Sequence, residues 1–129
     1  MKRILHAVLL ASLFCLVVLH STVHAQTQYV RGVPQCGHSE YDNSGNWYLI
    51  DTCNIDVTIT FTNSGNGPAW GQSHVAAGQR QLTESMGNAS PRENGTISLF
   101  TCPGTSTAVT PDGRPFGNHY HGEYTCQQN

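Results

Sequence analysis

Near the end of the chain, His119, His121 and Glu123 alternate with Tyr120, Gly122 and Tyr124 in the run Asn118-His-Tyr-His-Gly-Glu-Tyr-Thr-Cys126. On an extended strand, alternate residues share a face. Two imidazoles and a carboxylate would then project together, a donor set that zinc or another divalent metal accepts, with His38 or His74 as a further ligand. The simpler account puts these three on a solvent face while Tyr120 and Tyr124 pack inward. Glycine inside a strand marks a bulge, so Gly122 would swing Glu123 away from the two histidines. No bound metal or other cofactor is therefore expected, and metal binding is kept as the alternative.

The spacing Gly113-x5-His119-x-His121 resembles the opening of the first cupin motif over nine residues. Glu123 follows His121 after a single glycine, earlier than that motif places its glutamate, so neither the fold nor the activity of cupins is carried across.

Other catalytic patterns are missing. Gly71-Gln-Ser73-His-Val75 begins like a nucleophile elbow but ends in valine, without the strand-turn-helix that such an elbow needs. The eight carboxylates show no spacing that singles out an acid and base pair. No phosphate-binding glycine loop or dinucleotide fingerprint is present. The expectation is a protein that is not an enzyme.

The aromatic residues supply another chemistry. Trp47, Tyr48, Trp70, Tyr120 and Tyr124 include candidates for an exposed platform on which a sugar ring lies, with amide and hydroxyl side chains as hydrogen-bonding partners. Several must instead fill the core, since large rings dominate the energetics of a small domain.

These residues are positioned by strands. Ile55, Val57, Ile59 and Phe61 alternate with Asp56, Thr58, Thr60 and Thr62, which gives one apolar and one polar face to the strand around which the chain is organised. Trp47 to Thr62 reads as one long strand bent by a bulge near Cys53-Asn54. Further strands are expected over Gln28 to Val33, Ala69 to Val75, Gln79 to Thr83, Ile97 to Thr101, Ser106 to Thr110 and Asn118 to Cys126. Cys36 to Asn46, Asn63 to Pro68 and Glu84 to Gly95 are loops rich in turn formers. Seven or eight short strands with no helical period predict an all-β fold. A small antiparallel β-sandwich, immunoglobulin-like or similar, is expected first and a small β-barrel second.

Residues 1–25 read as a signal peptide that is removed. Lys2 and Arg3 precede an apolar run from Ile4 to Val18, and Val23-His24-Ala25 suits a signal peptidase. The run is shorter than the roughly 20 residues that span a bilayer. A single secreted domain from Gln26 to Asn129, extracellular or periplasmic, would follow. It carries four arginines, no lysine and eight carboxylates. That balance argues against nucleic acid and against an anionic membrane surface.

Once Cys15 leaves with the signal, Cys36, Cys53, Cys102 and Cys126 remain, an even number in a short exported chain. No C-x-x-C pair favours zinc, so two disulfides are expected. Of three connectivities, the sequential pairing of Cys36 with Cys53 and Cys102 with Cys126 closes loops of modest length without crossing. A small, exported, disulfide-tied β-domain with no catalytic set is read as a binding or interaction module for a carbohydrate or a protein. A metal-binding protein using His119 and His121 is one alternative. An inhibitor of a secreted enzyme, presenting the loop from Glu84 to Gly95, is another.

Overall fold

The polar face of the organising strand is not a solvent face, and that fact sets the architecture. The computed structural model describes residues 26–64, 70–83 and 97–129. Within them lie nine strands and one short 3-10 turn at Pro34–Cys36: β1 (Tyr29–Val30), β2 (Gly37–Tyr41), β3 (Trp47–Asp51), β4 (Val57–Asn63), β5 (Trp70–Val75), β6 (Arg80–Leu82), β7 (Ile97–Pro103), β8 (Thr107–Val109) and β9 (Thr125–Gln127). They form three antiparallel three-stranded sheets, ordered β1-β9-β8, β2-β3-β6 and β5-β4-β7. The fold is all-β, and no closed barrel is present among the described residues. The predicted signal segment, most of the turn after Asn63 and the loop from Glu84 to Gly95 lie outside the described residues.

Every residue of β4 is buried. Val57, Ile59 and Phe61 face the sheet β2-β3-β6, where they meet Trp47, Leu49 and Cys36, with Val75 of β5 beside them. Trp47 stands edge-on to Phe61 with ring centroids 5.0 Å apart. On the opposite face, the register aligns Thr58 with Cys102 and Thr60 with Phe100 of β7. Phe100 and Cys102 form a second core with Ala108 of β8 and Cys126 of β9. The sheet β5-β4-β7 is thus sandwiched between the other two. Threonine suits such a strand, because its branched methyl packs while its hydroxyl can bond locally. Thr58 Oγ1 donates to the carbonyl of Gly104 at 2.7 Å, and Thr62 Oγ1 donates to that of Tyr120 at 2.5 Å.

Two disulfides, Cys36–Cys53 and Cys102–Cys126, staple these layers in the expected sequential pairing. The first ties the entrance of β2 to the bend after β3, and the second joins β7 to β9 inside the second core.

Three local expectations are corrected. Trp47 to Thr62 is not one bent strand: β3 and β4 are separate members of different sheets, linked through a bend. Within that bend, Asp51 turns its carboxylate back to accept the Cys53 N–H at 2.8 Å. The stretch after Cys36 is not all loop, because Gly37–Tyr41 is an edge strand whose mixed polar composition hides its pairing with β3. Finally, the strand predicted from Asn118 to Cys126 contracts to Thr125–Gln127. His119 has φ 64°, in the left-handed region that a regular strand excludes, so 118–119 form a turn.

Candidate functional site

That turn dissolves the face on which the three candidate metal ligands were to meet. His119 Nδ1 lies 2.6 Å from the Asn63 carbonyl, which requires the proton on that nitrogen. His121 Nδ1 lies 2.7 Å from Ser98 Oγ, and Glu123 is exposed beyond Gly122. His38 pairs with Glu40 at 3.4 Å on β2, and His74 pairs with Asp56 at 3.8 Å on β5, so neither completes the set. Among the described residues, the one group of three potential ligands within 4.8 Å of each other is Cys36, Asp51 and Cys53. Its two sulfurs are bonded to one another, which removes both thiolates, and the Asp51 carboxylate accepts the N–H groups of Cys53 and Gly78.

The candidate aromatics divide clearly. Trp47 is 3% exposed and belongs to the first core, so it is not available as a platform. Tyr48 lies on the outer face of β3, where the Arg80 guanidinium sits 4.4 Å above its ring. Tyr120 and Tyr124 pack inward against Phe100, as the alternation suggested, although not from a strand. Tyr120 donates its hydroxyl to the Glu123 carbonyl, and this contact holds the 120–123 loop closed. Burial raises the ionisation point of Tyr124 above the usual tyrosine value, partly offset by its bond to the Thr101 backbone.

Trp70 is the exception. One of the candidates for an exposed platform, it is 55% exposed. On β5, Trp70, Gln72 and His74 lie across from Thr62, Thr60 and Thr58 of β4, so they share the face turned toward the sheet β1-β9-β8. Between them and that sheet opens a cleft of about 260 Å³, lined by Trp70, Gln72, Thr60, Thr107, Phe116 and Gln127 among others. Phe116 is held in place by Tyr120, which stacks behind it at 4.5 Å and 11°. The Gln72 and Gln127 amides make no hydrogen bond among the described residues, which leaves their donors and acceptors free. Asn129, at the rim, is fixed instead: its Nδ2 donates to the Thr105 carbonyl at 2.7 Å and to Thr107 Oγ1 at 3.1 Å.

A wider and more open hollow of about 920 Å³ lies beside Arg31, His121, Glu123 and Tyr124. Its polar groups carry both signs of charge and its described lining offers no exposed indole or phenyl ring, so the Trp70 cleft is the better binding surface of the two.

Comparison with known proteins yields no relative: no family model, no curated protein and no solved structure matches this chain. The site must be read from its own chemistry.

Much of that site was hidden from sequence reasoning. The period-2 pattern of β5 places Trp70 and Gln72 on one face, but Thr107, Phe116 and Gln127 come from other strands and a loop. Only the third sheet folding over β4 brings them there, and no local pattern announces it.

Proposed function

We propose that this protein is an exported, non-catalytic binding module whose ligand is a carbohydrate held in the Trp70 cleft. The observation that carries the reading is an exposed indole on a wall shared with two uncommitted amides, Gln72 and Gln127. An indole offers a broad apolar face to the C–H side of a sugar ring, and an amide offers a donor and an acceptor to neighbouring hydroxyls. None of the described lining residues has a titratable side chain. The cleft therefore suits recognition rather than acid–base or nucleophilic chemistry. Export is supported by the basic and apolar segment at the start of the sequence together with two disulfides, which favour an oxidising, non-cytoplasmic compartment. Among the described residues, no helix is long and apolar enough to cross a membrane.

The test is tryptophan fluorescence during titration with a panel of mono- and oligosaccharides. Trp47 is buried and Trp70 exposed, so a ligand at the cleft changes the signal through Trp70. A saturable change that disappears in Trp70→Ala supports the proposal. Silence across the whole panel, with Trp70→Ala folded normally, overturns it.

A further inference from the structure

We propose that the Trp70 cleft recognises an N-acetylated hexosamine: the sugar ring lies on Trp70, the acetamido methyl meets Pro115 and Phe116, and the Gln72 and Gln127 amides meet the acetamido N–H and carbonyl. This inference rests on the carbohydrate reading above and narrows it to one class of sugar.

The cleft has apolar surface on two walls. Trp70 stands on β5 of the central sheet, whereas Pro115 and Phe116 belong to the segment joining β8 to β9 of the neighbouring sheet. Trp70 and Pro115 are exposed and Phe116 is half-buried. Phe116 is held where it is by Phe100 and Tyr120, each with its ring centroid 4.5 Å away. A hexose lying with its C–H face on Trp70 turns hydroxyl groups toward the second wall, where they lose water and gain no partner from carbon. A methyl group at that wall instead buries apolar surface on both sides.

The polar side chains select the substituent that carries the methyl. Gln72 is exposed on β5 and Gln127 is half-buried on β9, one on each wall. A secondary amide is trans, so its N–H and carbonyl point in opposite directions. Carboxamides on opposite walls suit that group, because each has both a donor and an acceptor and each meets one end of it. A 6-deoxy sugar also carries a methyl, but it has no N–H and carbonyl to span the two amides. The acetamido group of an N-acetylhexosamine brings the methyl, the donor and the acceptor together. At about 260 Å³ the cleft is at the small end of ligand pockets, the size for one ring and its substituent.

The experiment uses the full chain with both disulfides formed, and paired ligands. Methyl glycosides of glucose and galactose are titrated beside those of N-acetylglucosamine and N-acetylgalactosamine, followed by tryptophan fluorescence and calorimetry. Each pair differs only at C2, which isolates the acetamido group. The methyl glycoside of 6-deoxyglucose supplies a methyl without an amide. At least one N-acetyl glycoside is expected to bind, with its plain hexose and the 6-deoxy sugar weaker by about tenfold or more. Gln72→Leu and Gln127→Leu each remove one amide and keep the bulk of the side chain. Each is expected to weaken the N-acetyl glycoside by about tenfold. Gln72 is exposed, so its variant decides the matter even where Gln127→Leu lowers the unfolding midpoint. A plain or 6-deoxy hexose binding through Trp70 as tightly as the N-acetyl sugar overturns this inference and leaves the carbohydrate reading standing. So does wild-type affinity for the N-acetyl sugar in Gln72→Leu. Failure of every sugar removes both.

Discussion

The hydroxyl of Tyr124 closes the free edge of β7: it donates to the Thr101 carbonyl at 3.0 Å and accepts the Thr101 N–H at 3.3 Å. The register leaves those two backbone groups pointing away from β4, and the Val33 N–H shares the same carbonyl at 2.8 Å. A sheet edge left open would pair with another chain, so a side chain from the loop before β9 acts as the missing strand. The ring has no slack around it, because a Cβ added at Gly32 would lie 2.5 Å from three of its atoms.

Tyr124→Phe should therefore cost about 1 to 3 kcal/mol, since it leaves the Thr101 N–H buried without its partner. Denaturant unfolding measures it, and a loss below about 0.5 kcal/mol would show that the edge closure is incidental. The same group sets an alkaline limit. Its folded ionisation point is raised above 10.0, so the unfolded chain loses this proton first. The stabilisation is complete below about pH 10 and is lost as pH rises through the folded value. The midpoint of the wild type should fall there more steeply than that of Tyr124→Phe.

At the acid end the sign reverses. The Asp42 carboxylate is held below its usual 3.8 chiefly by the side-chain amide of Asn46, with backbone bonds from Asn46 and Ser44 in the β2–β3 turn. Asp112 is likewise lowered, first by the Thr110 hydroxyl and then by Arg114. Groups lowered in this way stabilise the fold above pH 3.8 and lose that contribution as pH falls through their folded values. Unfolding midpoints followed from about pH 5 to pH 2 should drop less in Asp42→Asn than in the wild type. Parallel curves would contradict this account of the turn.

The all-β class, the two disulfides and most strands were legible because each is a local signal. Alternation marks β4 and β5, an even count of four cysteines after the apolar leader-like segment implies bridges, and Pro-Gly or Asp-Gly pairs mark the turns. Burial on the second face of β4 was not legible. Threonine has the same identity whether it faces water or a third sheet, and only long-range pairing of β8 and β9 decides which. Which of Trp47 and Trp70 would be covered was not legible for a related reason. Each sits on an alternating strand, and the layer that covers one and leaves the other open is built from distant sequence. His119 misled because a left-handed residue other than glycine leaves no mark in the pattern of types.

The two disulfides should separate kinetically. Cys102 and Cys126 are fully buried between two sheets, whereas Cys53 is only half-buried in the bend after β3. Thiol–disulfide exchange requires a thiolate to reach a sulfur, so access decides the order. Native-state dithiothreitol followed by alkylation mapping should show the Cys36–Cys53 bond opening first. With sequence separations of 17 and 24, each bond should stabilise by about 3 kcal/mol in the chain-entropy account, with the longer loop slightly ahead. Earlier opening of Cys102–Cys126 would mean that the third sheet detaches readily from β4 and β7.

Gly37 and Thr101 mark a close approach of the sheet β2-β3-β6 to the central one. A Cβ built on Gly37 would lie 1.9 Å from Thr101 Oγ1 and 3.0 Å from its Cβ. Thr101 is fully buried on β7 and cannot swing aside, and Gly37 is fixed by the neighbouring Cys36 bridge and by its pairing with Asp51. Overpacking a tight contact of this kind costs about 1 to 3 kcal/mol, so Gly37→Ala should lower stability by that amount. Thr101→Ala opens the needed space and also removes a hydroxyl that has no partner among the described residues, at the cost of the methyl group that Thr101 packs. The double variant should then be more stable than the sum of the single effects implies, with a coupling of about 1 kcal/mol or more in a double-mutant cycle. Simple additivity would place the cost of Gly37→Ala in the backbone of β2 and not in the contact between the two sheets.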